Sequence, residues 1–126
     1  MIQLSDFDFD TVNVPIRVEE QDMIVVVKSG YTQEAIQAGQ YFSMACEAAK
    51  EQGIELDVEV DNFGVKMKEQ TDTYKSLVAQ FAEKLVKDWP VDEPLFDCLF
   101  ENQNLAWTII RKSDERMREF FEKKSK

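Results

Sequence analysis

Apolar and polar residues alternate strictly in two stretches of the chain. Residues 6–10 read Asp-Phe-Asp-Phe-Asp, and Val12, Val14, Ile16 and Val18 carry the same alternation onward. A period of two places every second side chain on one face of an extended segment. The polar turn Glu19-Glu20-Gln21-Asp22 follows, and then the β-branched run Met23-Ile24-Val25-Val26-Val27. Two such runs about a short polar loop predict a β-hairpin within residues 1–30. Pro15 has no N–H to give to a ladder, so the first strand is expected at a sheet edge. In the second stretch, Ile54, Leu56, Val58 and Val60 alternate with Glu55, Asp57, Glu59 and Asp61. This predicts a strand over 54–61 with one buried face and one solvated carboxylate face, closed by an Asn62-Phe63-Gly64 turn.

Elsewhere the spacing is helical. A helix is expected over 31–53, with Thr32 as N-cap, Glu34 near the positive dipole end and Gly53 as the stop. Its stripe is Ala38, Tyr41, Phe42, Ala45, Ala48 and Ala49. Tyr74, Leu77, Val78, Phe81, Leu85 and Val86 recur along one face of a second helix, which Asp88-Trp89-Pro90 ends. The loop Val91-Asp92-Glu93-Pro94 leads to a short helix carrying Leu95, Phe96, Leu99 and Phe100. Asn102-Gln103-Asn104 punctuates it. The last helix places Ala106, Ile109, Ile110, Ser113, Met117, Phe120 and Phe121 on one face. The expected fold class is α+β in a single domain, residues 1–126. A small N-terminal antiparallel sheet, hairpin plus a third strand, packs with a predominantly helical half over 70–126.

Length and composition agree with one folded domain: 126 residues, 44% hydrophobic, nine Phe and two Trp, at roughly 100–200 residues per domain. The chain has 25 acidic and 15 basic residues, a formal charge of −10, and no histidine. An acidic surface repels phosphate backbones, so no nucleic-acid partner is expected. Without histidine, the commonest general base and metal ligand are missing. No nucleophile motif or Gly-rich phosphate loop accompanies the acids, so no enzyme activity and no cofactor are expected. Cys46 and Cys98 have no C-x-x-C spacing and lie in apolar surroundings, which reads as two reduced core thiols. Sequence also permits a disulfide between them. No apolar run approaches the roughly 18–20 residues of a membrane span. Met1-Ile2-Gln3-Leu4 begins nothing like a signal peptide, so a cytoplasmic, membrane-free protein is expected.

Three groups of residues stand out. The carboxylates Glu55, Asp57, Glu59 and Asp61 are the densest charged array. Neighbours on one strand face lie about 7 Å apart, too far for one small ion, and EF-hand spacing is lacking. A solvated strand face is the expectation. Charge also segregates. Residues 1–110 hold 21 acids and 8 bases, whereas 111–126 hold 7 bases and 4 acids. Arg111, Lys112, Arg116, Arg118, Lys123, Lys124 and Lys126 make a basic end on an acidic body. Head-to-tail self-association would bring Arg111, Lys112, Arg116 and Arg118 against Glu55, Asp57 and Glu59. The third group is aromatic. Phe96, Leu99, Phe100, Trp107, Phe120 and Phe121 are candidates for covering another protein's apolar helix, against the alternative that they fill this chain's own core.

The segment Leu85-Val86-Lys87-Asp88-Trp89-Pro90-Val91-Asp92-Glu93-Pro94-Leu95-Phe96 carries a resemblance. Before it come the Val14-Pro15-Ile16 hairpin and the Tyr31-Thr32-Gln33-Glu34 helix start, and after it an amphipathic last helix. In order of elements the chain resembles the small tail assembly chaperones of long-tailed, lambda-like bacteriophages, most sharply over 85–100. The Ile54–Asp61 strand and the Gly64–Gln70 stretch are longer than that pattern usually has. The resemblance implies a non-enzymatic protein that binds the tape measure protein and helps recruit tail tube subunits. It would act as a homo-oligomer in the host cytoplasm and be absent from the mature virion. It also implies a longer, frameshifted form. Glu122-Lys123-Lys124 can be encoded GAA-AAA-AAG, which contains the slippery heptamer A-AAA-AAG, and a shift there would replace Ser125 and Lys126. An acidic inhibitor or nucleic-acid mimic, and a structural neck or tail-completion subunit, are the competing expectations.

Overall fold

The computed structural model describes residues 10–124. The Phe7 and Phe9 alternation, Ser125 and Lys126 lie outside the described residues. The order of elements is β1 (Thr11–Val18), β2 (Gln21–Lys28), α1 (Gln33–Glu51), β3 (Asp57–Asn62), β4 (Val65–Gln70), α2 (Asp72–Leu85), β5 (Val86–Asp88), α3 (Leu95–Glu101) and α4 (Gln103–Lys124). The α+β class is as expected. The third strand of the N-terminal sheet, however, is β5, in the order β1-β2-β5. The strand expected over 54–61 instead pairs with β4 in a separate two-stranded sheet.

β1 and β2 run in unbroken register from Thr11↔Lys28 to Val18↔Gln21. Only Glu19 and Glu20 form the loop, both at positive φ (49° and 67°), the arrangement whose twist suits a two-residue hairpin. Gln21 and Asp22, expected in the turn, belong to β2. The opposed pairs Val12–Val27, Val14–Val25 and Ile16–Met23 share the inner face, and Val14, Val25 and Val27 are buried there. β1 is an edge strand, as Pro15 requires.

α2 is the centre of the helical layer, packing on α1, α3 and α4. Val78, Ala79, Ala82 and Leu85 on its inner face are fully buried. The helix was expected to run to Asp88-Trp89-Pro90, but it ends at Leu85: Val86 is extended (φ −79°, ψ 125°), and Val86–Asp88 form β5 against β2. α1 starts where Thr32 Oγ1 accepts the Ala35 N–H at 3.3 Å. It turns Ala35, Ala38 and Ala49 inward. Tyr41 and Ala48, expected on the packed stripe, are instead exposed, and the Lys84 ammonium lies 3.8 Å over the Tyr41 ring. A cation held there is favoured by the ring's negative face. Small residues at the α1 contact let two backbones approach closely, which Tyr41 would prevent.

α4 is locked to the hairpin by three hydrogen bonds. The Ser113 hydroxyl donates to the Lys28 carbonyl (2.7 Å) and the Gly30 N–H donates to the Ser113 carbonyl (2.9 Å). The Arg116 Nε–H donates to the Thr11 carbonyl (3.1 Å). A Cβ on Gly30 would sit 3.1 Å from the Ser113 carbonyl oxygen and 3.2 Å from Met117 Cβ, so glycine is what allows this close approach. Leu99, Ala106 and Ile109 complete the same core as Val25, Val27 and Leu85.

Candidate protein-binding surface

The β3–β4 hairpin projects from this body on a fixed base. Thr71 ties both ends of it: its N–H donates to the Leu56 carbonyl (2.9 Å) and its hydroxyl to the Glu55 carbonyl (2.8 Å). The Gln70 amide then bridges to the helices. Its Nε2 donates to Gln103 Oε1 (3.2 Å), and its Oε1 accepts from the Trp107 indole at 3.4 Å. Gln103 in turn donates to the Lys75 carbonyl (3.0 Å). Beyond that base the hairpin makes few contacts with the rest of the chain.

Register fixes what each face carries, from Asp57↔Gln70 to Asn62↔Val65. Directly opposed residues share a face. One face therefore holds Val58, Val60, Val65 and Met67, with Asn62 and Glu69 at its two ends. The other holds Asp57, Glu59 and Asp61 beside Lys66 and Lys68. The expected carboxylate ladder exists, but β4 interleaves it with lysines, and Lys66 lies 3.6 Å from Glu59. The apolar face is not buried as expected: Val58 and Val60 are half-covered, and Val65 and Met67 are exposed.

The tip combines two features that are each disfavoured. Phe63 and Gly64 form the loop with φ of 53° and 83°, and the Gly64 N–H donates to Asp61 Oδ1 (3.0 Å). A left-handed conformation is natural for Gly or Asn and costs roughly 1–2 kcal/mol for a residue with a bulky Cβ substituent. The Phe63 side chain recovers nothing within the chain, since it is 101% exposed. The residue is thus disfavoured twice, by backbone conformation and by solvent. The sequence places Phe63 in a turn but not among the candidate contact residues. The available signal was Val65-Lys66-Met67-Lys68, which alternates like 57–61 on the far side of a turn.

The candidates chosen from sequence are placed differently. Leu99 is fully buried and cannot reach a partner from the folded chain. Phe96 and Phe100 are half-buried and stack on each other with centroids 6.2 Å apart. Trp107 is half-buried edge-on to Tyr74. Phe120 stacks on Tyr31 at 4.1 Å, and Phe121, beside it, is exposed. The cations proposed for self-association have acidic neighbours on their own helix. Arg111 and Lys112 pair with Glu115 (3.8 and 3.4 Å), Arg116 with Glu119 (2.8 Å) and Arg118 with Asp114 (3.0 Å). Glu55, Asp57 and Glu59 are exposed. The structure does not bring these two groups together within one chain.

An open cleft of about 1180 Å³ lies between β1, the end of β4 and the α3–α4 corner, with Trp89 and Phe100 in its wall. Cys98 lines it too, with its thiol pKa raised. Burial, a 3.1 Å hydrogen bond to Glu93 and the charges of Glu93 and Asp97 push it up to about 11. Only the thiolate attacks electrophiles. Native Cys98 is expected to react with iodoacetamide at pH 7.5 on the order of 100-fold more slowly than a solvated cysteine, and at the ordinary rate in denaturant. Mass-spectrometric labelling kinetics would measure this, and equal rates in both states would refute the packing around Cys98. Both cysteines are free. Among the described residues no cluster of three potential metal ligands occurs, and no helix is long and apolar enough to cross a membrane.

No protein-family model, no curated protein and no solved structure matches this chain.

Proposed function

We propose that the protein is a non-enzymatic tail assembly chaperone of a long-tailed bacteriophage. It binds the tape measure protein in the host cytoplasm and helps recruit tail tube subunits, and it is left out of the finished virion. Two supports are independent of each other. The first is the resemblance of residues 85–100, with its order of flanking elements. The second, which carries the binding role, is the fully exposed Phe63 on a left-handed turn above the exposed Val65 and Met67. Apolar side chains held out on a hairpin tied at its base are what an amphipathic helix of a partner can cover. A nucleic-acid mimic is less well served, because Lys66 and Lys68 break the row of negative charge on the acidic face.

Co-expression with the tape measure protein tests the proposal. The expected result is a soluble complex that co-purifies through size exclusion. An insoluble tape measure protein that leaves this chain alone in solution would overturn it. The longer frameshifted form has its own check, since codons for 122–124 that lack A-AAA-AAG would exclude a shift at that point. Gene position separates the chaperone from a neck or tail-completion subunit, because a chaperone gene lies between those for the tube and the tape measure.

A further inference from the structure

We propose that the β3–β4 hairpin joins copies of the chain to one another. The β3 edge of one copy adds antiparallel to the β4 edge of the next, so that copies connect head to tail by a continuous sheet.

Three observations lead there. The first is that both edges are open: among the described residues, β3 pairs only with β4 and β4 only with β3. The register runs without a bulge or proline over six residues of each strand. Such edges are templates for another strand, and the charges on these two leave open only a pairing that matches them.

The second concerns the backbone groups. In a two-residue hairpin the residues flanking the loop are a hydrogen-bonded pair, and bonded and non-bonded pairs then alternate. Asn62–Val65, Val60–Met67 and Val58–Glu69 thus bond inward. Asp57, Glu59 and Asp61 on β3, and Lys66 and Lys68 on β4, turn their N–H and C=O groups outward. These are the same residues that carry the charges.

The third is charge complementarity, and it selects the symmetry. A two-fold β3–β3 contact would set carboxylates against carboxylates, and a β4–β4 contact lysines against lysines. Like charges directly opposite destabilise a sheet. Only β4 against β3 of the next copy places Lys66 and Lys68 between acidic columns. Lys68 and Asp57 hold no ion pair among the described residues, so each can accept a partner in the next copy. The same register extends the opposite face as well, because Val65 and Met67 of one copy then lie beside Val58 and Val60 of the next. A contact between two different edges is heterologous, and it builds rings or open rows rather than closed dimers.

The inference does not depend on the chaperone reading, and its test involves no tape measure protein. The full 14.7 kDa chain is examined by sedimentation velocity over a concentration series. Species of three or more copies are expected. Lys68→Pro removes one outward N–H while leaving every inward bond of the hairpin in place, and it should weaken association by at least tenfold. Lys66→Glu/Lys68→Glu should do the same alone, and association should return when it is mixed with Asp57→Lys/Glu59→Lys. Hydrogen exchange at Val60 and Met67 identifies variants whose hairpin is intact, and Lys68→Pro decides the matter if charge reversal melts it. A wild-type chain that stays monomeric at all concentrations would overturn the proposal. So would one that stops at a dimer, or an assembly indifferent to Lys68→Pro.

Discussion

Leu99→Ala should lower the stability of the chain by about 2–5 kcal/mol, the range for truncating a fully buried leucine whose site cannot collapse. Leu99 is 0% exposed and shares its core with Leu85, Ala106 and Ile109. Its helix is only seven residues long and begins at Pro94 without a side-chain cap, so packing is what holds it. Short isolated helices are marginal in water. Loss of the Leu99 side chain therefore leaves a cavity and removes the main anchor of α3. A fall of roughly 10 °C in Tm is expected, measured by circular dichroism. Phe121→Ser, at a half-exposed ring edge-on to Phe120, should cost less, about 1 kcal/mol. A Leu99→Ala chain that melts normally yet fails to bind a partner would place Leu99 at a surface, contrary to the packing described.

Phe63→Asn should do the opposite to folding and more to binding. Asn followed by Gly is the preferred pair for a turn with two positive φ angles, and Phe63 makes no burial that its loss could forfeit. The hairpin should gain about 1 kcal/mol, seen as slower hydrogen exchange at Val60 and Met67. Binding to the tape measure protein should fall at least tenfold, as expected when an aromatic anchor is removed. Opposite signs in the two measurements separate function from stability. A variant that loses stability would mean that Phe63 packs within its own chain. One that gains stability with unchanged affinity would move the partner site away from the hairpin tip.

Legibility in the sequence followed a physical divide. Period-two alternation with β-branched residues fixed β1 and β2, and Pro15 placed β1 at the edge, because both signals are local. The alternation at 54–61 marked a strand that the structure forms only from Asp57 onward, and it did not say what covers that strand. A period of two says that two faces differ, while burial of one depends on whether another element reaches it. None closes fully over this hairpin, so the expected buried face is exposed at Ile54 and only half-covered at Leu56, Val58 and Val60. β4 alternates from Val65 to Lys68, but Lys66, Lys68 and Glu69 are weak strand formers, and pairing with β3 overrides that preference. β5 was hidden inside a helical stripe that Val86 fits by spacing; its backbone is claimed by β2. In the aromatic list, hydrophobicity alone could not separate Leu99 in the core from Phe121 outside it. Phe63 was legible as a turn residue, but its full exposure depends on no other element reaching the hairpin tip, which is a tertiary matter.

The bonds from α4 to the N-terminal hairpin also bear on how the chain is made. Lys28 and Ser113 are separated by 85 residues, and Thr11 and Arg116 by 105. On a ribosome, β1 and β2 emerge first and can pair at once, since their contacts are local. The backbone groups of Thr11, Lys28 and Gly30 must wait for nearly the whole chain to be translated before α4 can bond to them. Such distant closures slow folding and leave apolar surface uncovered meanwhile. The native state is therefore completed from its last helix, and a nascent chain halted before residue 113 should remain protease-sensitive along its first strands.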